Sequence, residues 1–219
     1  NRYILALVTF MMVTGCARYY QGEKSDHFDG KHFFNPGKPF EKGFGSFLKW
    51  RFTADKQPWP EYGQIAAYDI PPARVYGKEL RVSYIGHATV LLQTRGLNIL
   101  TDPVLSDRAS PVQWAGPRRV HPPGIKPENM PDIDVILISH NHYDHLDLAA
   151  LERLWLSNKL RIIVPLGNDT IISDYNAAIK PEALDWGDAI ELTDDIAVHL
   201  EPMQHWSARG LFDRNRALW

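Results

Sequence analysis

A polar cluster that directly follows an apolar run restricts the fold of this chain more than any other feature of its sequence. The run DVILI spans residues 134–138, and SHNHYDHLD spans residues 139–147. A short apolar run rich in β-branched residues is typical of a buried strand. After the cluster, apolar residues recur with the spacing of one helical face, and Asp147 stands at the N-cap position. The sequence therefore predicts a strand, a polar loop and a helix in succession, which is an α/β arrangement.

The polar loop carries the side chains of a metal site. Residues i and i+2 at the end of a strand face the same side, so His140 and His142 can approach one point. Asp144 and His145 follow where the chain must turn toward the helix, and they can reach a second point nearby. Imidazole and carboxylate groups suit zinc, and also iron or manganese. We predict a metal site for two ions; the alternative is a solvated loop in which Asp147 only caps the helix.

From residue 80 onward, the chain alternates between strand and helix patterns. We predict an antiparallel meander of three strands, a further buried strand, a second helix and a hairpin that turns at Asp194–Asp195. The segments are, in that order, LRVSYIG, ATVLLQT, LNILTD, RIIVP, DTIISDYNAAI and AIELTDDIAVHLEPM. Residues 111–131 are rich in proline, which excludes a helix or a central strand and predicts an ordered loop.

The first residues are typical of a bacterial signal peptide. Arg2 precedes an apolar run from Tyr3 to Val13, which is shorter than the roughly 20 residues that a transmembrane helix needs. The run leads into VTGC, which resembles the bacterial lipobox, so Cys16 is the expected lipidation site. A buried N-terminal helix with an incidental cysteine is the alternative.

The bulk composition fits one globular domain or most of a larger one. The chain has 219 residues, of which 44% are hydrophobic, and its formal net charge is −2. The only tight basic cluster is Arg118–Arg119, so we expect no nucleic-acid partner. We divide the chain into a signal peptide at 1–15, an irregular N-terminal arm at 16–75 and a domain at 76–219. Because the sequence starts without methionine and stops without a capping signal, we expect a fragment of a longer protein.

Four segments together resemble a known family, the metallo-β-lactamase fold superfamily. Within that superfamily they are similar to the branch of N-acylphosphatidylethanolamine-hydrolysing phospholipase D and its bacterial relatives. The resemblance runs from about Leu80 to Trp219 and rests on SYIGHATVLLQT, TDPVLSDRASP, SHNHYDHLD and HWSARGLFDRNRALW. It implies an α/β fold with four layers, an αββα sandwich, whose C-terminal part is missing from this chain.

The resemblance also implies which residues bind metal. His140 and His142 would bind the first ion together with His205, while Asp144 and His145 would bind the second, and Asp144 is also the candidate catalytic residue. The family pattern further requires a bridging aspartate and one more histidine, which we expect beyond residue 219. We therefore expect this chain alone to bind metal poorly and to be nearly inactive.

Two further residues match family positions near the metal ions. Asp102 in LTDP would accept hydrogen bonds from histidine N–H groups of the metal loop; a turn-forming aspartate before Pro103 is the alternative. His87 in GHAT would lie in the surroundings of the site, and a buried core histidine is the alternative. The other histidines, His27, His32, His121 and His199, are assigned to structural roles.

The resemblance implies a metal-dependent phosphodiesterase. Two ions, for which zinc is the expected metal, would hold a hydroxide that attacks N-acylphosphatidylethanolamine or a related phospholipid. The lipobox predicts a lipoprotein anchored to a membrane of the bacterial cell envelope and facing the periplasm. Two alternatives stay open: a hydrolase of the same fold that acts on lactones or other small esters, and a non-catalytic, lipid-anchored envelope protein.

Overall fold

The computed structural model of this protein describes residues 18–37, 44–55, 62–64 and 67–219. The signal peptide predicted at 1–15 and the lipidation site predicted at Cys16 lie outside the described residues. Among the helices in the described ranges, none has the length and apolar character that crossing a membrane would take.

Six strands form the main sheet, in the order β1-β2-β3-β4-β5-β6. The first three strands pair antiparallel, as the predicted meander requires, and β3 to β6 pair parallel. The bounds are β1 Leu80–Gly86, β2 Thr89–Thr94, β3 Leu97–Thr101, β4 Val135–Leu137, β5 Arg161–Pro165 and β6 Glu182–Leu184. Strand β6 was not predicted, because three residues are too few to show alternation.

The two faces of the main sheet pack against different partners. One face, which includes Ile99, Val135 and Ile163, packs against the hairpin formed by β7 Ala189–Thr193 and β8 Ile196–His199. The hairpin turns where the sequence predicts. The other face packs against helices α2 Leu148–Asn158 and α3 Asn168–Tyr175. Helix, sheet and hairpin thus follow in the αββ order of the predicted sandwich, and the α/β class is confirmed.

Asp147 fixes the start of α2. Its Oδ1 accepts a hydrogen bond from the Ala150 N–H at 3.1 Å, so the predicted N-cap is confirmed. Its Oδ2 accepts from the N–H groups of Leu105 and Ser106 at 3.1 and 2.8 Å. A capping side chain of this kind contributes about 1 kcal/mol to helix stability. The same carboxylate also holds the loop after β3 against the helix.

The arm predicted to be irregular contains a helix, α1 Phe44–Thr53. Glycine and charged residues interrupt its apolar residues, so the helix is only weakly amphipathic and periodicity did not reveal it. In the proline-rich segment, the loop prediction is correct apart from one 3-10 turn at Pro127–Asn129.

Residues near 30 in the N-terminal arm pack against the domain. Phe28 and Phe33 are buried in one cluster with Leu218 and Trp219. The Phe33 N–H donates to the Asn215 carbonyl at 2.8 Å. These contacts join residues near 30 to residues near 215.

Candidate metal centre

The metal loop, residues 139–147, begins where parallel strand β4 ends. The carboxyl ends of parallel strands are where α/β folds place their ligand sites. The loop folds back on itself because the N–H groups of His145 and Leu146 both donate to the His142 carbonyl, at 3.0 and 2.8 Å. This turn brings the side chains on both sides of it close together.

The first cluster consists of His140, His142 and His205, whose nearest ring nitrogens all lie within 4.8 Å of one another. His140 Nε2 is 2.8 Å from His142 Nδ1 and 3.0 Å from His205 Nε2. Ligand nitrogens that surround a zinc ion tetrahedrally at about 2.0–2.1 Å lie roughly 3.4 Å apart. The three nitrogens therefore converge almost as the ligands of one ion do, and His205 is brought in from 65 residues away.

The three rings of the first cluster are held neutral. Burial, and then the neighbouring His145, lowers the pKa of His140 to about 2. Burial and His205 lower the pKa of His142 to about 4, and burial also lowers the pKa of His205. A neutral imidazole offers a lone pair, which is the form that binds a metal ion. Within the described residues, His142 Nε2 is buried without a hydrogen-bond partner.

The second cluster consists of His87, Asp144 and His145, again with ligand atoms within 4.8 Å of one another. His87 Nε2 is 3.1 Å from Asp144 Oδ2, and His145 Nε2 is 3.8 Å from the same oxygen. The side chains of His87 and Asp144 are 58% and 47% exposed, so the alternative of a buried core His87 is wrong. The resemblance supplied two ligands for the second ion; the structure adds His87 as a third candidate.

Asp102 follows the end of β3 and contacts the metal loop at Ser139 and His145. Its Oδ2 is 2.8 Å from His145 Nδ1, which leaves His145 Nε2 to face Asp144. Its carboxylate also accepts hydrogen bonds from the Ser139 N–H and hydroxyl, both at 2.7 Å. The structure thus places Asp102 where a residue that orients His145 would stand.

Arg209, which the sequence analysis missed, joins the segment of His205 to the metal loop. Its Nη1 donates to the carbonyls of Asn141 and Leu146, at 2.8 and 2.9 Å. Its guanidinium lies over the Tyr143 ring, 4.0 Å from the centroid. An isolated arginine far along the chain gives no sequence signal for such a contact. The loop is held at both ends by one side chain.

A large groove lies beside the metal loop rather than at the clusters. It measures about 780 Å³, and Tyr143, Asp147 and Arg209 are among its lining residues, together with Arg108 and Arg153. No ligand side chain of either cluster lines it. We assign the chemistry to the clusters, because convergent donor atoms and lowered pKa values occur there.

The donor chemistry of both clusters fits metal ions. Three imidazoles, and two imidazoles with a carboxylate, are ligand sets of zinc and of other first-row metals. The rings of His140 and His145 lie 4.1 Å apart, centroid to centroid, so the two positions are neighbours. Two ions in such a site would lie within a few ångströms of each other.

The chain is similar to several known proteins. The family described as "Beta-lactamase superfamily domain" matches residues 97–219. The chain is 40% identical over 150 residues to N-acyl-phosphatidylethanolamine-hydrolyzing phospholipase D 1 of Caenorhabditis elegans, covering 64% of this chain and 42% of the relative. It is 32% identical over 140 residues to the mitochondrial enzyme of that name from Saccharomyces cerevisiae, covering 63% and 30%. Igni18, a metallo hydrolase from Ignicoccus hospitalis, aligns at 18% identity and a TM-score of 0.43, covering 60% of this chain and 52% of that one.

The chain belongs to the beta-lactamase superfamily, and its two clusters carry the donor groups of a metal site. The two phospholipase D relatives support the branch that the four sequence segments indicate. The chain spans less than half the length of either of these relatives.

Proposed function

We propose that the protein hydrolyses a phosphodiester bond of N-acylphosphatidylethanolamine or of a related phospholipid, in a reaction of the phospholipase D type. The observation that carries this proposal is the pair of adjacent ligand clusters built around the metal loop, with His205 and His87 contributed by other segments. Two-metal sites with ions about 3.5–4 Å apart are common in enzymes that cleave phosphate esters. The similarity to two N-acylphosphatidylethanolamine-hydrolysing relatives supports the choice of lipid.

Each cluster has a distinct part in this proposal. When bound, the metal ions would lower the pKa of a water molecule and neutralise charge on the phosphoryl oxygens. The three neutral rings of the first cluster would hold one ion, while the exposed side chains of the second cluster would leave its position open to substrate. Water would attack phosphorus and the P–O bond to the ethanolamine would break, so the products are phosphatidic acid and an N-acylethanolamine. We propose zinc as the metal, with iron or manganese as the other ions that this donor set suits.

The test is lipid hydrolysis by the full-length protein. The parent protein, the His142→Ala variant and a matched His32→Ala control are incubated with vesicles that contain N-acylphosphatidylethanolamine. Phosphatidic acid is followed by mass spectrometry, and bound metal by elemental analysis. We expect product from the parent and the control, but not from His142→Ala. Hydrolysis of lactones without any hydrolysis of phosphodiesters would overturn the choice of substrate.

We further propose that the protein is a lipoprotein of the bacterial cell envelope, anchored through Cys16 and facing the periplasm. The lipobox-like VTGC supports this, and an anchor would hold the site near a phospholipid substrate. In cells, the mature protein should carry the mass of a lipid on Cys16 and fractionate with membranes. The Cys16→Ala variant should lose both properties, and an unmodified Cys16 would contradict the anchor.

A further inference from the structure

We infer that His87 is a protein ligand of the second metal position, together with Asp144 and His145. The inference rests on the metal-dependent function proposed above, because it concerns the same centre. Neither the family resemblance nor the spacing of the metal loop assigns this role to His87, which lies more than fifty residues before the loop.

The first argument is the backbone conformation of His87. The residue lies in the two-residue turn between β1 and β2, where Gly86 pairs with Thr89. Its φ is +51°, in the left-handed region that glycine or asparagine occupies at lower cost. Strained residues of this kind cluster at functional sites, where the surroundings hold them in place.

The second argument is that the turn is fixed directly above Asp102. The Thr89 hydroxyl donates to the Asp102 carbonyl at 2.7 Å, and the Thr101 hydroxyl donates to the Ala88 carbonyl at 2.7 Å. Thr89 is fully buried. Because these bonds tie the turn to the end of β3, the His87 side chain is presented to the site by rigid backbone.

The third argument is the convergence of donor atoms. His87 Nε2 and His145 Nε2 lie 3.1 and 3.8 Å from the same oxygen, Asp144 Oδ2. These separations bracket the roughly 3.4 Å between ligands of a tetrahedral ion. Asp102 engages the other nitrogen of His145, as the hydrogen-bonding partner of a ligating histidine usually does.

An ion pair between His87 and Asp144 without a metal ion explains fewer of these observations than metal binding does. Both side chains are about half exposed, and such an exposed pair contributes little to stability, which would not offset the strained turn. The His87 ring touches His145 edge-on, at 5.1 Å between centroids, and is not packed in the core. A metal ligand accounts for the strain, the exposure and the direction of the side chain together.

The experiment measures metal binding by the full-length protein, separately from hydrolysis. The His87→Asn variant keeps a residue that tolerates positive φ but removes the imidazole. His32→Asn is the matched control, because His32 is also an exposed histidine beside an aspartate, Asp29. Each protein is titrated with Zn²⁺ against a competing chelator, and its folding is checked by circular dichroism. His87→Gly serves as a second variant that also fits the turn.

We expect two binding steps in the parent and in His32→Asn. In His87→Asn and His87→Gly, the weaker step should lose more than about 100-fold in affinity, beyond the 10–100-fold cost of removing an outer-sphere partner. The tighter step should stay unchanged. Two unaltered steps in both variants, or only one step in the parent, would overturn the inference.

A second readout separates direct ligation from a hydrogen bond to Asp144. With Co²⁺ bound, ring protons of ligated histidines shift far outside the normal NMR range, and His87→Asn should lose the signals of one ring. Retention of every shifted ring would rule out His87 as a ligand. Hydrolysis is assayed apart from these measurements: a parent that binds two ions but cleaves no phospholipid would defeat the proposed function and leave His87 as a ligand.

Discussion

The two ligand clusters share one loop but differ in almost every physical property. The first contains only imidazoles, is largely withdrawn from water, and has lowered pKa values. The second includes a carboxylate, and two of its three side chains are about half exposed. Three protein ligands leave the fourth position of a tetrahedral ion open to water or substrate, so the two clusters differ in exposure rather than in the number of ligands. The greater exposure of the second cluster indicates that its position is the easier one for substrate to reach.

The largest expected effect comes from removing a ring of the first cluster. In His142→Ala, affinity at the tighter metal position should fall by more than about 100-fold, because one of three direct ligands is lost. Elemental analysis after dialysis against a chelator measures the change. If the weaker step is lost instead, the assignment of the tighter step to the first cluster is wrong.

Replacing Arg209, which holds the metal loop, should weaken metal binding at the first cluster although Arg209 is not a ligand. Arg209→Ala leaves two loop carbonyls without their donor, so the free energy of unfolding should fall by about 3 kcal/mol. Urea denaturation measures this change. The tighter metal step should weaken as well, because the segment of His205 is no longer held against the loop. Arg153→Ala is the control, because Arg153 lines the same groove. An equal loss of stability and metal affinity in that variant would argue against a specific role of Arg209 in holding the loop.

Changing Asp102 should act mainly on the second cluster. Asp102→Asn keeps the shape of the side chain but removes the negative charge that faces His145 Nδ1. The weaker metal step should lose about 10- to 100-fold in affinity, the usual cost of losing such a partner. Zinc titration against a chelator measures it, with Asp195→Asn in the hairpin turn as the control. Equal losses at both steps would mean that Asp102 supports the loop as a whole.

The smallest effect is expected at His27, whose pKa is raised, whereas the pKa values of the first cluster are lowered. Burial alone would lower its pKa, but hydrogen bonds to Asp26 and Asp185 outweigh burial and raise the pKa. The stability from this pair of contacts is therefore fully present below the unfolded pKa of about 6.5 and is lost as pH rises through the folded pKa. His27→Asn should destabilise by about 1–2 kcal/mol at pH 5.5 and by less at pH 9. Urea unfolding at both pH values checks this, and a pH-independent difference would show that His27 is neutral.

The elements that surround the metal loop could be predicted because local signals agree there. The apolar run before His140, the N-cap Asp147 and the helical spacing after it all indicate strand, loop and helix. The hairpin turn at Asp194–Asp195 was likewise visible as a pair of acidic residues between two apolar runs. Elements formed by residues that are close together in the sequence could therefore be predicted from local patterns.

What the sequence did not reveal depends on contacts between distant residues. His87 reaches the second cluster through a strained turn, and Arg209 reaches the loop from more than sixty residues away. Neither contact leaves a periodic pattern. His205 was assigned only through the family resemblance, since a single histidine beside a tryptophan has no local meaning. Helix α1 is only weakly amphipathic, so periodicity did not reveal it.

The junction between the arm and the residues near 215 has a consequence for the order of folding. The Asn35 side chain donates to the His205 carbonyl at 2.9 Å, across 170 residues of sequence. Contacts of such long range form slowly, because a large loop must close before they yield any stabilisation. His140 and His142 are neighbours as soon as their strand and loop exist, whereas His205 joins them only after that closure. Metal binding at the first cluster should therefore be a late event in folding. The rate of that binding should show when the segment of His205 reaches the metal loop.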